Sequence, residues 1–132
     1  MNYQKKLIFI MGIIFIFSIL ISGCDFVAPA TSDYDSYTVS YIKVLPSSTN
    51  MQINASKLLK VKAYDSEGIS IPVDPSEVSW VVSYECLACG VVWKLNPKSG
   101  SISTYFTPER IGRYYVYAEY KGIFASCRVD VE

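Results

Sequence analysis

The chain contains no histidine. That removes the side chain most often used as a general base near neutral pH, and a common metal ligand. Any Ser-His-Asp or Cys-His mechanism goes with it. Net charge is absent as well: 12 Lys and Arg balance 12 Asp and Glu. No basic run stands out, so the electrostatic footprint of a nucleic-acid binder is missing. The sequence has no glycine-rich phosphate loop and no carboxylate pair at a useful spacing. Cysteine is scarce, limited to Cys24, Cys86, Cys89 and Cys127. Long apolar runs are scarce too, and Leu7 to Ile21 is the one that stands out.

That run is a stretch of Leu, Ile, Phe and Met broken by Gly12 and Ser18. Lys5 and Lys6 precede it, and Ser22-Gly23 lead from it into Cys24. A charged start, an apolar middle and small residues before a cut form the three-part plan of a secretory signal. At 15 residues the run falls short of the roughly 20 that a membrane-spanning helix needs. Ile21-Ser22-Gly23-Cys24 resembles the lipobox of bacterial lipoproteins. The resemblance implies cleavage before Cys24, a diacylglycerol on its thiol and a membrane tether at the first mature residue. An uncleaved anchor helix or a signal cut elsewhere are the alternatives, and the second leaves Cys24 without a role. Asp25, next to the lipidated position, resembles an inner-membrane retention signal of bacteria with two membranes. In a bacterium with one membrane the domain would face outward. Loss of residues 1–23 removes Lys5 and Lys6, leaving 10 basic against 12 acidic residues.

Residues 24–37 read as the lipidated N-terminus and a flexible linker, with Pro29, several Ser, Thr and Asp and no apolar period. Residues 38–132 read as one small domain. Val39, Tyr41 and Val44 mark a first strand, closed by Pro46-Ser47-Ser48, and Met51 and Ile53 alternate in a second. Leu59, Val61 and Ala63 face one way while Lys60 and Lys62 face the other, the period of a half-buried strand. Asp65 to Gly68 is a turn, where Asp65 and Glu67 fit solvation better than a calcium loop. Val78, Trp80 and Val82 alternate with Ser79, Val81 and Ser83. Gly90 to Leu95 forms a strand, Asn96 to Gly100 a turn, and Ile102 to Phe106 a strand ended by Pro108. Arg113–Tyr120 and Ile123–Val131 form a closing hairpin about Lys121-Gly122. No segment of the mature chain has a helical period. Short strands with a turn roughly every 8–12 residues predict an all-β fold, a sandwich or a barrel.

The same residues carry a family likeness. Ile42-Lys43-Val44 with Pro46, Leu59 to Asp65 with Gly68, and Val78-Ser79-Trp80 resemble the front half of bacterial Ig-like domains. Phe106-Thr107-Pro108, Gly112 to Ala118 and Cys127 to Val131 resemble the ending of such domains. The likeness covers roughly residues 38–132 and implies an Ig-like β-sandwich of about seven short strands. Trp80 then fills the space between two sheets, and Gly112-Arg113-Tyr114 resembles a tyrosine corner. Val116 takes the place of the second core cysteine of antibody domains, facing Leu59 or Val61.

Three cysteines remain beyond Cys24. Cys86-Leu87-Ala88-Cys89 caps a hairpin, and an exported protein favours a disulfide between Cys86 and Cys89. Pairing of Cys127 with either one, free thiols, and a metal or redox site stay open. Zinc lacks a fourth ligand, and a thioredoxin-like site lacks its helix. Cys127 alternates with Val129 and Val131 and is expected to point inward as a small apolar residue. Tyr115 and Tyr117, with Trp93, are the candidate ligand surface, against ordinary cross-strand packing. The expectation is a non-catalytic, membrane-anchored, extracytoplasmic module without metal or cofactor. Its partner is a protein met in adhesion or assembly, or alternatively a glycan.

Overall fold

The alternation of β3 (Lys57–Tyr64) sets the pattern for the whole domain: Leu59, Val61 and Ala63 are buried, while Lys60 and Lys62 are exposed. In the computed structural model, which describes residues 36–86 and 90–132, eight further strands surround it. They are β1 (Tyr41–Leu45), β2 (Ser48–Met51), β4 (Ser70–Ile71), β5 (Ser79–Tyr84), β6 (Trp93–Asn96), β7 (Ser103–Pro108), β8 (Gly112–Tyr120) and β9 (Ile123–Val131). The expected signal, Cys24, the expected linker up to residue 35 and Cys89 lie outside the described residues.

Two sheets form. The first runs β1-β3-β7-β6, with β4 added to the end of β3, and the second runs β2-β9-β8-β5. The strand orders β1-β3-β7-β6 and β5-β8-β9 reproduce the two sheets of the immunoglobulin constant-type sandwich. The chain changes sheets after Leu45. β1 pairs antiparallel with β3, whereas β2 lies parallel to β9, with Thr49 beside Val129 and Met51 beside Val131. Proline at position 46 has no N–H to extend a ladder, which suits a break at this point.

The core lies between the sheets. Ile42, Val44, Leu59, Val61 and Phe106 come from the first sheet, and Trp80, Val116, Cys127 and Val129 from the second. Trp80 fills the expected place, and its indole Nε1 donates to the Ser101 carbonyl at 2.9 Å. Val116, Leu59 and Val61 are all buried, so aliphatic packing joins the sheets where antibody domains have a disulfide. The tyrosine corner is present: the Tyr114 hydroxyl donates to the Arg110 carbonyl at 2.9 Å. Tyr84 doubles it, stacking on Tyr114 at 4.3 Å and donating to the Ile111 carbonyl at 2.9 Å.

Several details differ from expectation. In β1 the inward residues are Ile42 and Val44, and Tyr41 turns outward to stack on Tyr64 at 5.0 Å. Ile53 is exposed beyond the end of β2. The strand expected from Gly90 starts at Trp93, because its partner β7 ends at Pro108 opposite Trp93. Ile102 likewise precedes β7 and is exposed. β4 is an added two-residue strand. Asp65 caps the turn leading to it, its carboxylate accepting from the N–H groups of Glu67 and Ile69.

Candidate functional site

Side chains of β8 alternate strictly, so the strand that buries Tyr114, Val116 and Ala118 must turn Tyr115 and Tyr117 out of the second sheet. Their rings lie 6.4 Å apart at an angle of 33°. Both are half-buried by their neighbours. Across β5, Tyr117 stands opposite Val81 and Tyr115 opposite Ser83. Across β9, Tyr117 faces Ser126 and Tyr115 faces Arg128. Val81 is 59% exposed, and Phe124 on β9 is 63% exposed. Apolar side chains therefore reach solvent on three neighbouring strands of one face.

An ionic cluster bounds this face. Asp130 accepts from Arg113 Nε at 2.8 Å and lies 3.0 Å from Arg128 Nε. The hydrogen bond from Arg113 holds the Asp130 carboxyl below its ordinary value, and the same contact raises the Arg113 guanidinium.

Trp93 sits on the other sheet, with its ring edge-on to Tyr114 at 6.2 Å. It does not join the two tyrosines directly. Instead it helps line a cleft of about 230 Å³ between the edges of β5 and β6, together with Trp80, Val82, Val91 and Leu95. Val81 lines the same cleft and is also the cross-strand neighbour of Tyr117. The apolar surface thus continues from Tyr117, over Val81, around the β5 edge to Val91, which is 75% exposed. Neither Val81 nor Val91 was singled out in the sequence. Their signal was weak: Val81 is an apolar residue on the outward phase of a strand, and such positions become informative only when neighbours are known.

The β5 edge is partly covered. Trp80 N–H donates to the Lys98 carbonyl and Gly100 N–H to the Val78 carbonyl, so the turn after β6 caps the start of the strand. Beyond Trp80, β5 is the outer strand of its sheet.

Cys86 is disulfide-bonded. Cys127 is a free, fully buried thiol, which removes the reading that ties it to the Cys86 loop. Burial pushes the Cys127 thiol up to about 11. Among the described residues, no group of three or more His, Cys, Asp or Glu is placed to hold a metal ion.

No protein-family model matches the sequence, and no curated protein matches it. Several solved structures align with the chain at low identity. Domains 4 and 5 of the S-layer protein SbsC align with a TM-score of 0.49 at 12% identity, over 71% of this chain and 52% of that one. The chain thus spans about half the length of that domain pair. The Lin-41 filamin domain gives 0.49 at 17% identity, over 69% and 91% of the two chains. The D0-D1 domain of intimin gives 0.41 at 15%, over 69% and 44%. The assignment as an Ig-like sandwich rests on the strand order and the tyrosine corner described above.

Proposed function

We propose that this chain is a membrane-tethered lipoprotein whose Ig-like domain is a non-catalytic, protein-binding module outside the cytoplasm. The observation that carries the reading is the apolar surface formed by the exposed Val81 and Phe124 with the half-buried Tyr115 and Tyr117, continued to Val91 around the β5 edge. Exposed aromatic and aliphatic side chains grouped on adjacent strands are the composition of a protein interface. The free part of β5 adds a second mode, in which a partner strand extends the sheet and side-chain pockets supply selectivity. The lipid on Cys24 holds the module at its membrane. Cys86 pairs with Cys89.

A glycan is the second reading, supported by the adjacent Tyr115 and Tyr117 rings. Val81 and Val91 favour protein, since sugar platforms rely on aromatic faces and polar groups.

The test is capture from detergent-solubilised native membranes with the anchored chain as bait. Val81→Glu combined with Tyr117→Ala is expected to lose a partner that the parent retains, while its thermal midpoint stays within a few degrees. Equal recovery by parent and variant would remove this surface from the account. A Cys24→Ser chain that matures and fractionates with membranes as before would remove the tether. A non-reduced peptide map lacking a Cys86–Cys89 link would remove the proposed pairing.

A further inference from the structure

The two faces of the sandwich differ in charge. The five strands of the first sheet contain five lysines, Lys43, Lys57, Lys60, Lys62 and Lys94, and no acidic residue. The second sheet contains two arginines and two acids, Arg113, Arg128, Glu119 and Asp130. Near-neutrality of the whole chain hides this separation.

Alternation places Lys43, Lys60, Lys62 and Lys94 on the outer side of the first sheet, opposite the buried Ile42, Val44, Leu59, Val61 and Leu95. Lys43 stands directly across from Lys62 in the β1–β3 ladder. Like charges facing one another across a ladder are destabilising, and a sheet folded for stability alone gains nothing from them. Lys94 has Glu109 at 3.2 Å. Lys43, Lys60 and Lys62 have no ion-pair partner among the described residues. Aromatic rings stand beside them, at the Tyr41–Tyr64 end of the ladder. Tyr41 and Tyr64 are stacked, and the Lys43 ammonium stands 5.4 and 5.3 Å from their centroids. Tyr105 is exposed on the same side. Lysine heads on apolar stems beside tyrosine rings suit a boundary that is charged above and apolar below.

We infer that this lysine and tyrosine face lies against an anionic lipid bilayer, the occupant complementary to it in charge, with the second sheet turned away from the membrane. The inference rests on the tethered reading, because the anchor supplies the bilayer. β1, an edge strand of this face, begins 17 residues after Cys24, within a reach on the order of 60 Å for extended chain. A short tether of that kind raises the local concentration of the surface to about millimolar. Lysines at an anionic surface each add a small, salt-screened attraction, so weak individual contacts suffice. The arrangement also points Tyr115, Tyr117 and Val81 outward, toward a partner.

The test uses the mature chain with its native N-terminus and two kinds of vesicle, phosphatidylcholine alone or with phosphatidylglycerol added. Flotation with neutral vesicles reports the anchor. Lysine acylation, read by mass spectrometry against Lys121, reports the face. On anionic vesicles Lys43, Lys60 and Lys62 are expected to label about fivefold more slowly than on neutral ones, the factor that one lysine's attraction corresponds to. Salt at about 0.5 M should abolish the difference. In the Lys43→Gln/Lys60→Gln/Lys62→Gln variant, Lys94 should label alike on both vesicles. A chain that floats with neutral vesicles yet labels equally on both overturns the inference and leaves the anchor standing. Flotation with anionic vesicles alone, reversed by salt and with the three lysines protected, supports the face and removes the anchor. Protection by soluble polyphosphate but not by anionic vesicles overturns the inference and assigns the face to a soluble polyanion.

Discussion

Trp80, Tyr114 and Cys127 show how single side chains hold this domain. Trp80 fills the space between sheets and satisfies its own N–H on Ser101. Trp80→Ala is expected to cost about 3–5 kcal/mol, read by denaturant unfolding, and a small domain has little more than that in reserve. Tyr114→Phe keeps the ring but loses the bond to the Arg110 carbonyl, a loss of about 0.5–1.5 kcal/mol. Cys127 gives a pH signature. Burial keeps its thiol protonated up to about 11, above its ordinary value near 9.0. The unfolded chain releases that proton first, so stability falls as pH rises through the window from about 9 to about 11. Tyr114, raised chiefly by burial, contributes in the same direction. The difference in alkaline unfolding between the parent and Cys127→Ala isolates the thiol, and a parent curve identical to the variant's would contradict this account. Trp80 and Cys127 were legible from the alternation of their strands, and Tyr114 from the resemblance of Gly112-Arg113-Tyr114 to a tyrosine corner. Tyr84 was not legible, because its role depends on stacking with a residue 30 positions away.

At the scale of elements, legibility followed the strength of the alternation. β8 and β9, expected over Arg113–Tyr120 and Ile123–Val131, form over Gly112–Tyr120 and Ile123–Val131, and β3 extends the expected Leu59 to Ala63 alternation to Lys57–Tyr64. β4 has two residues and exists because the Asp65 cap folds the chain back onto β3. β2 was read as a strand, but its parallel pairing with β9 depends on the sheet change after Leu45, which periodicity does not encode. β6 was read too long because Gly90-Val91-Val92 is apolar without a ladder partner on β7. The start of β8 offers a sharp test. Gly112 has φ +136, and a Cβ there would meet Tyr84 Cε2 at 2.8 Å. Gly112→Ala is therefore expected to cost about 1–3 kcal/mol, seen as a lowered thermal midpoint. An unchanged midpoint would mean that the paired Tyr84 and Tyr114 ties do not constrain this entry.

On the scale of the whole molecule, two faces of one sandwich carry different surfaces. The lysine face of the first sheet and the aromatic face of the second were both invisible as patches in the linear sequence. Lys43, Lys62 and Lys94 are distant in the chain and come to one face only through the β1-β3-β7-β6 order. Val81 and Tyr117 meet only through the β5–β8 register. Tyr115 and Tyr117 were legible as an outward pair, but Trp93, expected beside them, lies on the other sheet, and Val81 as the connection required the fold. The proposed tether rests on the sequence from Ile21 to Cys24, which lies outside the described residues.

The central claim is that the second sheet's outer face is where a protein partner sits. The most direct measurement places a photoreactive residue at position 81 of the anchored chain in its native envelope, with position 69 as the distant exposed control. A discrete cross-linked protein species is expected from position 81 and not from position 69, and it should disappear when Tyr117→Ala is added. Equal cross-linking from both positions, or none from position 81, would contradict the account.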